Sequence, residues 1–218
     1  TDVKFYKDAS DGFEEQLLEL EKAERFIFIE YHAIEDAISF GRMKRILAEK
    51  VKQGVDVRVL YDDVGSIGFI DSVFVKRMES LGIKCRVFNP LVPVLNMIMN
   101  NRDHRKLTVI DGKVGFTGGY NLADKYFNLE NPYGHWKDTG VKLTGDSVRS
   151  LTVTFLELWS AMSKEEMEDV TAFFPKITYE ASENCLVQPY ADSPLDDELV
   201  GENVYMNIVK MAKDYVYF

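Results

Sequence analysis

The chain has 218 residues, 46% hydrophobic and 28% charged, with a formal net charge of -10; this is the composition of an ordinary soluble globular protein with enough apolar mass for one sizeable core. Aspartate and glutamate outnumber lysine and arginine by 36 to 26. That counts against a nucleic-acid enzyme, whose affinity comes largely from basic groups on phosphates, but leaves a local basic cleft open.

Cys85 and Cys185 are too few for a disulfide framework and form no C-x-x-C knuckle, so both are expected as reduced, small apolar residues. The start Thr-Asp-Val-Lys carries no apolar leader, and no run reaches the roughly 18 apolar residues of a bilayer span.

In chain order, Phe13, Leu17 and Leu20 have the spacing of an amphipathic helix over 9–24. Phe26-Ile27-Phe28-Ile29-Glu30-Tyr31 reads as a buried strand. Ile38, Met43, Ile46, Leu47 and Val51 predict a helix over 35–53, stopped by Gly54. Val55 to Tyr61 is a second strand ending on Asp62-Asp63, followed by a helix over 68–81, Gly82 and a strand at 83–88. This β-α-β-α-β order predicts an α/β sandwich: a mixed, mainly parallel sheet with helices on both faces. Ligands collect beyond the carboxyl ends of such strands. Glu30 and Asp62-Asp63 would stand there, where helix capping explains them at least as well as catalysis.

Pro93 and Asn96 interrupt the apolar stretch 91–99, which reads either as a loop folded into the core or as an apolar lip for a lipid or partner surface. A strand at 136–144, a helix at 145–162, a strand at 186–189, a helix at 196–213 and a strand at 215–218 complete the pattern. The absent initiator Met and the end in an apolar strand predict a piece of a longer chain.

The chemistry concentrates in His104-Arg105-Lys106-Leu-Thr-Val-Ile-Asp111-Gly112-Lys-Val-Gly-Phe-Thr-Gly118-Gly119-Tyr-Asn121. Asp111-Gly112 is a two-residue hairpin signal, which would pair Ile110 with Lys113, Lys106 with Thr117 and His104 with Gly119. His104 and Lys106 then share a face, opposite small residues, with Asn121 at the same corner. An imidazole can attack phosphorus to give phosphohistidine, while an ammonium and an amide stabilise non-bridging oxygens. In this register Asp111 lies roughly 15 Å or more from His104, in a turn where aspartate is expected for backbone reasons.

These residues resemble the phospholipase D superfamily signature, H-x-K-x4-D followed by G-[GS]-x-N, without departures. The signature counts Asp111 with His104 and Lys106 as catalytic; the register favours a structural role for it. Further stretches look like bacterial cardiolipin synthases: Glu30-Tyr31, Leu60-Tyr61-Asp62-Asp63-Val64-Gly65-Ser66, Phe88-Asn89-Pro90, Asn101-Arg102-Asp103-His104, Trp136-Lys137-Asp138-Thr139 and Phe155-Leu156-Glu157-Leu158-Trp159.

The resemblance implies a phospholipase D-like α-β-α sandwich and a phosphatidyltransferase condensing phosphatidylglycerol. It implies His104, Lys106, Asn121 and Gly119 on the substrate phosphate, Asp138 as the acid that orients His104, and no cofactor or metal. Family members carry two such motifs, whereas this chain has one: neither His32 nor His135 has a lysine two positions on. Both read as ordinary polar histidines.

Residues 1–184 are therefore expected to be the first such domain, and 185–218 the opening of a second. The partner would be a second half in cis or in a homodimer. The whole protein would lie at the bacterial cytoplasmic membrane, and this piece would be soluble and inactive alone. Two alternatives remain open: a homodimeric phospholipase D or nuclease-type phosphodiesterase, and a non-catalytic membrane-surface module. No nucleic-acid partner is expected.

Overall fold

A computed structural model describes residues 1–91, 101–163, 169–182, 186–193 and 197–217. Its strands are β1 (Asp2–Tyr6), β2 (Phe26–Tyr31), β3 (Asp56–Asp62), β4 (Lys84–Phe88), β5 (Lys106–Ile110), β6 (Val114–Gly118) and β7 (Gly140–Thr144). They form one sheet in the order β1-β7-β6-β5-β2-β3-β4. The continuous apolar run of β2 takes the middle of it, as a strand buried on both faces must. Ile27, Ile29 and Tyr31 enter one core and Phe26 and Phe28 the other.

The first face is covered by α1 (Ala9–Glu21), α2 (Ile38–Lys52), the short α3 (Asp63–Ser66) and α4 (Phe74–Ser80), and the second by α5 (Val148–Ala161). Phe155 stacks on Phe28 at 4.5 Å. The sandwich is as expected, and the sheet is mixed. Its parallel share, however, is confined to β2-β3 and β3-β4; the other four pairings are antiparallel. The β5–β6 hairpin inserts against β2 and continues through β7 to an edge strand, β1, that the sequence pattern did not reveal.

One helix is capped from far along the chain. Ala37, at the start of α2, offers no side-chain cap. Asp124 supplies one instead, accepting from the N–H groups of Ile38 (3.0 Å) and Ser39 (2.7 Å). At the hairpin, Asp111 and Gly112 have φ of 54° and 67°. The Lys113 N–H closes the turn on the Ile110 carbonyl at 3.0 Å, so the turn lies where expected.

The register does not follow from it. Ile110 pairs with Val114 and Leu107 with Thr117, one step from the expected ladder. Lys113 is the extra residue, its carbonyl taken by the Gly145 N–H at 3.0 Å.

The strand expected at 136–144 forms over Gly140–Thr144. The strands expected at 186–189 and 215–218 do not form over their described residues, where Leu186, Tyr215 and Tyr217 lie at the surface, 98%, 72% and 86% exposed. The helix expected nearby is α6 (Val200–Met211), none of whose residues is buried. Apart from Leu91, the stretch 91–99 lies outside the described residues, as does Cys185. Cys85 is a free buried thiol pushed up to about 12 by burial, which makes it an inert core residue. Among the described residues no helix is long and apolar enough to cross a membrane.

Candidate active site

The C-terminal ends of β2 and β3, the N-terminus of β5 and the end of β6 share one sheet edge, because β5 runs antiparallel to β2 and β6 antiparallel to β5. His32, Asp62, His104, Lys106, Gly119 and Asn121 all meet there. His104 is exposed and stands just before β5; Lys106 is the first residue of that strand, with its side chain largely withdrawn from water. Lys106 Nζ donates to the His104 carbonyl at 2.6 Å, which fixes the ammonium beside the imidazole.

Burial pushes the Lys106 ammonium down to about 8, against the pull of Asp103 and Asp138. Burial first, then the positive charges of Lys106 and His32, hold the His104 ring below the usual imidazole range; Asp103 and Asp62 oppose them. At neutral pH the pair is therefore a neutral imidazole next to a cation. That is a nucleophile paired with an anion binder.

The peptide before His104 is held from two sides. Asp62 is fully buried and accepts from the Asp103 N–H at 3.0 Å and the Gly65 N–H at 3.0 Å. It thus both caps α3 and anchors the loop. His32 Nδ1 lies 2.7 Å from the Asp103 carbonyl, and its ring centroid is 4.7 Å from that of His104.

On the opposite sheet face, Arg105 Nε donates to Asp103 Oδ1 at 3.2 Å and approaches Glu30 Oε1 at 2.6 Å. Glu30 is fully buried, and neither of its oxygens makes a hydrogen bond of its own. Burial and the Asp103 charge push its carboxyl well above the usual carboxylate range, outweighing Arg105.

The expected site residues divide. His104 and Lys106 come together. Asn121 reaches the same edge but is already engaged: Oδ1 accepts from the Ala33 N–H at 3.1 Å and Nδ2 donates to the Tyr126 hydroxyl at 3.0 Å. One amide hydrogen remains for a ligand.

The Gly119 N–H is taken by the Thr139 carbonyl at 3.1 Å. A Cβ on Gly119 would stand 2.2 Å from Asp138 Oδ1, so glycine is what lets that acid approach. Asp138 accepts from the Thr139 N–H at 2.8 Å and from the Trp136 indole at 3.5 Å, with no hydrogen bond to His104.

Asp111 is not brought to the site. It stands at the far end of β5, roughly 17 Å along an extended strand from Lys106. There its carboxylate accepts from the N–H groups of Glu24 (2.9 Å), Arg25 (2.8 Å) and Phe26 (2.9 Å). Its task is to close the start of β2.

His135 lies in an exposed loop. Among the described residues no three His, Cys, Asp or Glu side chains converge as a metal centre would require.

A mixed sheet between helical layers, with a histidine and a lysine at the carboxyl edge of its parallel strands, defines a phospholipase D-like domain. Comparison with known proteins gives the finer placement. Residues 17–159 match the family described as "Cardiolipin synthase, PLD-like domain", and the chain belongs to that family.

It is 45% identical over its whole length to an uncharacterized protein of Streptococcus mutans, of which it covers 47%. It is 34% identical over 99% of its length to cardiolipin synthase 1 of Staphylococcus aureus, of which it covers 43%. The chain thus spans less than half the length of these relatives. Among solved structures it resembles Nuc, a phospholipase D family member from Salmonella typhimurium, with a TM-score of 0.53 and 16% identity, covering 72% of this chain and 95% of that one.

Proposed function

We propose that this chain carries one His–Lys half of a phosphatidyltransferase active site of the cardiolipin synthase type. The observation that carries the proposal is the juxtaposition of His104 and Lys106. A ring held below the usual imidazole range is exposed at the sheet edge, and its backbone carbonyl is clamped by a buried ammonium.

In the proposed reaction a neutral His104 nitrogen attacks the phosphorus of phosphatidylglycerol. A P–N bond forms and the bond from phosphorus to the glycerol oxygen breaks. Glycerol leaves with a proton from a general acid, and a second phosphatidylglycerol hydroxyl then displaces the histidine, returning that proton to the acid-derived base. Lys106 neutralises the non-bridging oxygens; with phosphate bound, its depressed affinity for a proton is restored. The remaining Asn121 amide hydrogen adds a donor.

The general acid is assigned to a second His–Lys half, in the remainder of a relative-length protein or in a second copy, at the surface of the bacterial cytoplasmic membrane. Support for the lipid substrate comes from the family and from relatives such as cardiolipin synthase 1.

Incubation of a protein of relative length, which supplies the second half, with a phosphodiester lipid, followed by alkaline quench and mass spectrometry, tests the nucleophile. A phosphoramidate on His104, absent from His104→Asn, is expected. In a protein of relative length, a wild-type transfer rate in His104→Asn would overturn the proposal.

A further inference from the structure

His32 has no place in the mechanism above, yet it touches both the residue before the nucleophile and the His104 ring itself. Its Nδ1 is 2.7 Å from the Asp103 carbonyl, and because a carbonyl only accepts, Nδ1 carries the hydrogen. The N–H of the same residue, Asp103, is held by Asp62 at 3.0 Å. Both polar groups of the residue before His104 are therefore fixed by side chains, one from the end of β2 and one from the end of β3.

The other side of the imidazole is closed by Gly65, where a Cβ would stand 2.2 Å from the His32 carbonyl oxygen and 2.7 Å from ring atoms Cε1 and Nε2. The ring is thus seated between a glycine and the His104 ring 4.7 Å away, with only 21% of its side chain exposed.

We propose that His32 is a positioning residue for His104: it fixes the backbone that carries the nucleophile and opposes a positive charge on the neighbouring ring. At this ring separation a positive charge on His32 disfavours one on His104, which burial, Lys106 and His32 together hold below the usual imidazole range. The charged groups facing the pair are Asp62 from β3, with Nδ1 of His32 at 4.0 Å from its Oδ1, Arg102 and Asp103 from the preceding loop, and Lys106 from β5. Lys106 and His32 act in the same sense on His104, keeping it in the form able to attack. The catalytic consequence rests on the assignment of His104 as nucleophile; the coupling itself does not.

The chain has three histidines, so each imidazole can be assigned by substitution and titrated by NMR in the intact chain. His32→Asn keeps a side-chain N–H for the Asp103 carbonyl and removes the titratable ring, whereas His32→Leu removes both. In both variants the His104 midpoint should rise by about half a pH unit. The amide resonances of residues 103–106 should hold in His32→Asn and move in His32→Leu.

An unchanged His104 midpoint in His32→Asn overturns the proposal, and that variant decides the matter alone if His32→Leu fails to fold. A shifted midpoint together with no phosphohistidine in a protein of relative length would support the coupling while rejecting the proposed reaction.

Discussion

The two ends of β5 carry residues of one sequence signature under opposite physical conditions. At the Asp111 end every interaction is closed: a buried carboxylate receives three backbone N–H groups from the start of β2, each within 2.9 Å. At the His104 end the groups are held away from their ordinary ionisation, with both His104 and Lys106 pushed toward neutrality. A carboxylate satisfied by backbone has nothing left for substrate, whereas an underprotonated base beside a desolvated cation gains by meeting an anion. A signature that reads as one motif thus combines a reactive pair with the anchor that holds its strand.

Substitutions should separate these roles. The largest expected effect is on chemistry: His104→Ala should lower phosphotransfer by about 10³-fold or more with little change in the thermal midpoint, since the side chain is exposed. A large stability loss would place His104 with the anchors.

Lys106→Met should cost about 10²-fold, in line with losing one preorganised charge donor. In the wild type, kcat/KM should fall on the alkaline side of about pH 8, where the free enzyme's Lys106 gives up its proton. A flat profile to pH 9.5 would reject that assignment.

Asp111→Ala should reverse the pattern. Leaving three N–H groups without their charged acceptor should cost roughly 3 kcal/mol of stability. The His104 titration should stay where it is, because the two ends are a strand apart. A shifted His104 midpoint would break the separation.

How far this was visible beforehand depends on the range of each interaction. The β2-α2-β3-α4-β4 core was legible because apolar runs and the stops at Gly54 and Gly82 are local signals. The site edge was legible because strand alternation and the Asp111-Gly112 turn are local too. The register slipped by one because the carbonyl that holds Lys113 out of the ladder is bonded by Gly145, just past the end of β7 and far along the chain. β1 escaped because its half-exposed residues become a strand only beside β7. His32 looked like an ordinary polar histidine because its partners, Asp103 and His104, lie more than seventy residues away. For Asp62 the sequence left capping and catalysis both open; it caps α3, and its second bond, to the loop that presents His104, had no local mark.

Glu30 offers the finest test, because it lies behind the reactive end but is buried as completely as any anchor. Its carboxyl is raised by burial and by Asp103, so the folded chain keeps a proton that the unfolded chain gives up above about pH 4.3. Between that pH and the folded value the folded state binds more protons than the unfolded state. Stability must therefore fall as pH rises, by up to about 1.4 kcal/mol per unit from this group. Glu30→Gln is neutral in both states and removes that slope. It also leaves Arg105 with one carboxylate partner instead of two. The variant should therefore gain on the wild type progressively as pH rises above about 5 in thermal or urea unfolding. Parallel stability curves would mean that Glu30 is ionised and paired with Arg105 in the folded chain. In that case the reactive end would be built on a charged base like the one that Asp111 provides at the other end.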